Sequence, residues 1–246
     1  MATIKKIFQG KVSKKALTHY YFPIMYGLFV ICLFLAWVFY PYDEGYPYDW
    51  TTSTISRLGW PIENPIGVIF FSIGMLLLGV MLIPVVFYNF RRLSIIRKKA
   101  AKAVFILMLS HAIALIGIGA ILNYPEPFFL ISHAINAIII FFSVYIAGII
   151  MLLIVLRDNR SKTEKYYVFS KRLLIVYIII LIYGILTLLL TIINLQVTGG
   201  HYVHDSSTPL LNSAPFYEWQ TFFAFFGVIY IQVMILPAEV HKREND

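Results

Sequence analysis

Six apolar runs, each about as long as a helix that crosses a bilayer, constrain this chain more than any other feature. They fall at about 20–40, 65–90, 103–123, 128–156, 173–195 and 217–237. A soluble fold of 246 residues cannot hide that much apolar surface, because its charged complement is too small. Apolar residues make up 60% and charged residues 13%, with a mean hydropathy of +0.79. Lipid is therefore the solvent, and the expected fold class is all-α: a polytopic membrane protein built as a six-transmembrane-helix bundle. Within a bilayer, helices satisfy their own backbone groups, which open strands cannot do.

The charges orient the runs. Basic residues cluster before the first run, between the second and third, between the fourth and fifth, and after the sixth. Nineteen of the 20 lysines and arginines fall on that side and only Arg57 on the other. Seven of the 12 acids, including Glu63, Glu126, Asp205 and Glu218, take the opposite side. The formal charge of +8 thus separates into +14 and −6. By the positive-inside rule both termini are expected in the cytoplasm, with the cytoplasmic (plasma) membrane as the location. The expected organisation is a basic arm over 1–19, a transmembrane domain over 20–237 and a tail over 238–246. Long outer caps fall at about 41–64 and 196–216. The first run lacks a small-residue cleavage site before Pro41-Tyr42-Asp43 and reads as a retained signal anchor. The basic face suits anionic lipid headgroups rather than nucleic acid.

Polar residues inside apolar runs are costly, so they are the candidates for function. His133, Asn136 and Ser143 fall within ~80° of one another on a helical wheel. Tyr177, Gly184, Thr187, Thr191 and Asn194 form a second stripe, and Glu218, Thr221 and Gln232 a third. The more polar members, Asn123, His133, Asn136, Asn194 and Glu218, gather in the outer half of their runs, beneath the two long caps. That pattern predicts a ligand-binding polar pocket opening outward. The competing reading is plain hydrogen bonding between helices, and sequence leaves the two evenly matched.

Cofactor chemistry finds little support. His111 and His133 differ in expected depth by about 10 Å at ~1.5 Å per residue, which disfavours a haem held between them. His201, His204 and Asp205 form a set that zinc accepts, but in a loop and without an HExxH pattern, so they read as polar cap residues with metal binding as the weaker alternative. The lone Cys32 offers no disulfide. No GxSxG elbow, Walker loop or dinucleotide fingerprint occurs, so no cofactor is expected and catalysis is left open.

Ser56-Arg57-Leu58-Gly59, Glu63-Asn64, the following apolar run, Gly117-Ile118-Gly119, Tyr124-Pro125 and His133 with Ala137 and Phe141 together resemble a six-helix prokaryotic membrane family, the domain of unknown function 998. The layout is also similar to the superfamily of autophagy-modulator and GPI-lipid-remodelling membrane proteins. Its Ile-Ser-x-x-Gly…Pro-Glu turn is matched in part by Ile55-Ser56-Arg57-Leu58-Gly59…Ile62-Glu63. The resemblance implies a compact six-helix bundle, an outward site near Ser56, Asn64 and His133, and the handling of lipid headgroups. The leading expectation is an integral membrane protein that binds or remodels a lipid or other amphiphile. The alternatives are a small-solute transporter and a non-catalytic structural or assembly protein.

Overall fold

The computed structural model describes residues 6–41, 48–49, 53–120, 126–160, 171–197 and 214–236. Among them there is no strand. Helix α1 spans Lys14–Val38, with a π-helical turn at Leu17–Tyr21. Pro23 follows that turn; its missing N–H and bulky ring disrupt the α-helical ladder, and the wider turn accommodates the change of register. The run Gly67–Ala120 is two helices, α2 (67–96) and α3 (98–120), divided by the non-helical backbone of Arg97 (φ −151°, ψ 93°). Then come α4 (Glu126–Arg160), α5 (Lys171–Val197) and α6 (Ala214–Ile235).

These bounds refine the expected runs in one place above all. The basic segment between the second and third runs is not a loop. Both helices continue into it and it breaks at a single residue. The first helix also starts at Lys14, inside the segment expected as a basic arm.

Neighbouring helices run antiparallel. Ala36 meets Gly67 and Cys32 meets Gly74 across α1 and α2. Gly79 lies on Ala112 and Ile116, and Gly119 on Ser72 and Leu76, across α2 and α3. His111 reaches the Ile140 carbonyl at 2.8 Å from α3 to α4. Gly184 lies on Tyr145, and Gly148 on Leu181, across α4 and α5. Tyr183 donates to Gln220 at 2.7 Å and Gln232 to Tyr177 at 3.4 Å, tying α5 to α6. The ring closes where Phe22, Tyr26 and Phe29 of α1 pack on Tyr230, Phe226 and Phe222 of α6. Small residues recur at these crossings because helices in lipid associate through close van der Waals contact rather than hydrophobic exclusion.

This pairing gives the bundle two ends. Residues 38, 67, 120, 126, 197 and 214 define a cap end. The opposite, basic end carries Lys11, Lys14, Lys15, Arg91, Arg92, Lys98, Lys99, Lys171 and Arg172. Two of these cations are structural. Arg92 donates to the carbonyls of Gly10 and Val12, each at 3.3 Å, and lies over the Tyr88 ring. Lys14 donates to the carbonyls of Met234 and Leu236, terminating α6.

The core is aliphatic and aromatic, centred on residues such as Leu78, Val85, Leu115, Tyr177 and Phe225. The flanks are just as apolar: Ile106 is 62% exposed, Ile131 63% and Leu153 60%. Water does not tolerate such a surface over a whole molecule. Five helical runs are long and apolar enough to cross a membrane, and one of the five holds both α2 and α3. The protein is an integral membrane protein.

Candidate functional site

The cap end is ordered by a short 3-10 turn at Ile55–Gly59. Arg57 Nε donates to Glu63 at 2.6 Å, and the Tyr40 hydroxyl donates to the same carboxylate oxygen at 2.8 Å. Burial pulls the Arg57 pKa down, but the hydrogen bond to Glu63 and the charge of that carboxylate hold it above the ordinary guanidinium value. Tyr48 donates to the Thr54 carbonyl at 3.0 Å, and Trp219 Nε1 to the Ser53 carbonyl at 3.2 Å. Gly59 packs flat on the Phe71 ring, where a Cβ would not fit. The turn is thereby bound to α1, α2 and α6 together.

Asn64 completes this anchorage. It is fully buried and donates through Nδ2 to the carbonyls of Ala36 (3.0 Å) and Leu58 (2.9 Å), while its Oδ1 accepts from Gly67 N at 3.0 Å. All of these partners are backbone groups at the ends of helices and turns, which otherwise lack a mate. Sequence places Asn64 with the ligand-binding candidates; the structure gives it a bracing role, with its polar atoms turned into the protein.

The turn presents Ser56 to a cavity of about 280 Å³ between α4, α5 and α6. Its polar lining is Ser56, His133, Thr191, Glu218 and Thr221, and its walls include Ala137, Phe141, Leu188 and Ile192. Three residues from distant parts of the sequence, Ser56, His133 and Glu218, therefore meet in one place. The Ser56 hydroxyl lies 3.1 Å from Thr54 Oγ1 and 3.4 Å from Glu218 Oε1. It has one proton and serves one of them at a time. The threonines turn their hydroxyls back on their own helices: Thr191 donates to the Thr187 carbonyl at 2.9 Å and Thr221 to that of Tyr217 at 2.8 Å.

The cavity is open on its flank. Ile138 and Phe142 line it and are also 58% and 45% exposed on the side of the bundle. Towards the basic end, the contacts of Gly184 with Tyr145 and of Gly148 with Tyr177 and Leu181 bring α4 and α5 together, so the cleft between them belongs to the cap half. The Glu218 charge also reaches the rear of the cap: burial, then that charge, raise the pKa of Tyr48 well above the ordinary phenol value.

The remaining candidates lie elsewhere. Asn136 sits against Gly117 and donates to the Ser132 carbonyl at 2.9 Å. Asn194 donates to the Leu190 carbonyl at 2.8 Å. Neither lines the cavity. Asn123, His201, His204 and Asp205 fall outside the described residues. Among those described, no three metal-ligating side chains converge. His111 is fully buried between the Ile140 carbonyl and the Phe225 ring, with Nε2 unpartnered.

Sequence reasoning missed a second hollow. A groove of about 470 Å³ lies on the other side of the cap turn, lined by Val30, Phe34, Trp37, Tyr48, Leu58 and Trp219 among others. Apart from Asp49 its residues are aromatic and aliphatic, so in sequence they look like an interfacial belt; only the juxtaposition of α1 with the start of α6 makes them a hollow.

A family described as a protein of unknown function (DUF998) matches residues 18–203, about three quarters of the chain. The match covers Ser56, Asn64 and His133 and stops short of Glu218. Neither curated proteins nor solved structures supply a match.

Proposed function

We propose, on the premise that this chain belongs to the DUF998 family of proteins of unknown function, that it binds an amphiphile in the cavity between α4, α5 and α6. The polar head meets Ser56, His133 and Glu218, and the tail leaves through the cleft between α4 and α5. The carrying observation is a carboxylate, an imidazole and a hydroxyl in a cavity otherwise lined by apolar side chains and two threonines whose hydroxyls turn back on their own helices, with its flank open. A volume of about 280 Å³ is at the small end for ligand sites, typically ~300–1,000 Å³. It suits a headgroup and a few methylenes, with the rest of the chain outside.

In this reading the six helices each cross the bilayer and both termini lie in the cytoplasm, which sets the basic end against anionic headgroups and the cavity near the outer leaflet. The antiparallel neighbour pairing and the segregation of basic residues to one end support that arrangement. Binding alone accounts for the site, and remodelling of the bound molecule would be a further property of the same residues.

Mass spectrometry of the purified protein tests the reading. A stoichiometric amphiphile is expected to co-purify with the unaltered chain and to be lost from Leu188→Trp, whose indole fills the cavity. Equal lipid content in both, at equal protein abundance, would count against it.

A further inference from the structure

The cavity has a definite charge character. Among the described residues, Glu218 forms no ion pair; it accepts from the Ser56 backbone N–H and, at a long 3.4 Å, from the Ser56 hydroxyl, neither of which carries charge. Neither Lys nor Arg lines the cavity. The surrounding sequence supplies no other fixed cation: residues 38–66, 121–133 and 196–216 contain a single Lys or Arg, Arg57, beside the histidines His133, His201 and His204. That guanidinium is held by Glu63 at 2.6 Å. A carboxylate removed from water in an apolar wall is costly unless a countercharge joins it. A phosphate or carboxylate head would meet Glu218 with like charge and find neither Lys nor Arg to receive it, only the His133 imidazole.

Resting on the amphiphile reading, we infer that the head admitted here carries an ammonium group, with Glu218 as its counterion. Phe141 and Phe142, both in the lining, supply aromatic faces of the kind that attract such cations. The Ser56 hydroxyl accepts a second N–H when its own proton is turned to Thr54. The excess of acids on the cap side draws cations toward the site before they bind.

Three probes with the same tail separate this inference from the reading beneath it: decylammonium, decanol and decyl phosphate, titrated into the full chain in a maltoside detergent at pH 7. Decylammonium is expected to bind at least tenfold tighter than either of the others. Glu218→Gln should lower its affinity about tenfold and leave decanol unchanged. Phe142→Leu, which keeps an apolar wall and removes an aromatic face, should weaken decylammonium alone, about threefold. If decanol or decyl phosphate binds as tightly as decylammonium, the charge assignment is overturned and the amphiphile reading stands. If none of the three binds, both are overturned. Should Glu218→Gln fail to fold, the ranking in the unaltered chain and the Phe142→Leu response decide.

Discussion

Asn64 and His133 show how two polar residues of similar promise in sequence acquire opposite roles. Both lie in or beside apolar runs, where an unsatisfied polar group is expensive. Asn64 spends its hydrogen-bonding groups on Ala36, Leu58 and Gly67, and is fully buried. His133 stands at the wall of the cavity with Ser56 and Glu218. Replacing Asn64 with Ala should therefore act on stability: it strands buried backbone groups, at a typical cost of ~1–3 kcal/mol for such a group. Thermal unfolding in detergent is expected to show a lowered midpoint, and an unchanged midpoint would remove Asn64 from its bracing role. His133→Ala should leave the midpoint close to that of the unaltered chain and reduce amphiphile binding. His133 and Glu218 were legible because polar side chains stand out in apolar runs, and Ser56 because it belongs to the Ser56-Arg57-Leu58-Gly59 motif that carries the family resemblance. Asn64 and Asn136 stood out for the same reasons. What separates the two groups is which backbone carbonyls come within reach, and that depends on neighbours 28 residues away for Asn64 and on the crossing at Gly117 for Asn136.

Among the elements, the helices follow directly from hydropathy, since an apolar run in lipid has no better way to satisfy its backbone. Their ends were less legible. The basic stretch around Arg97 has the composition of a connecting loop, yet α2 and α3 extend through most of it. Arg92 is the physical reason on one side: its fork grips the carbonyls of Gly10 and Val12, so a cation continues the helix instead of ending it. The π-helical turn before Pro23 was likewise not visible, because it answers to the packing of α1 as well as to the proline. Where helices cross, glycine sets the distance. Gly184 faces the Tyr145 ring, and Tyr145 in turn donates to the Thr221 carbonyl of α6 at 2.8 Å. Gly184→Val should push α5 from α4 and break that link, destabilising the protein by ~1–3 kcal/mol as overpacked sites do. A denaturation midpoint equal to that of the unaltered chain would show that the crossing tolerates the extra volume.

For the molecule as a whole, charge segregation and antiparallel packing make a joint claim about orientation. The lone Cys32 is buried, so a Cys32→Ser background gives a clean host for reporter thiols. Ile62→Cys, at a position 71% exposed on the cap, should react in intact cells with a membrane-impermeant reagent. Lys98→Cys, on the basic end, should react only after permeabilisation. The reverse pattern would invert the bundle and place the cavity on the cytoplasmic side. The cleft between α4 and α5 is the part of the whole that sequence could not disclose. It depends on how far two helices diverge after their contacts at Gly148 and Gly184, and apolar composition is the same for a touching pair as for a separated one. Photo-crosslinking with a long-chain amphiphile carrying a diazirine in its tail examines that cleft most directly. The account predicts adducts concentrated on 134–142 of α4 and 188–195 of α5, and lost in Leu188→Trp. Adducts spread over apolar flanks such as Ile106 and Ile131, and unaffected by that substitution, would contradict it.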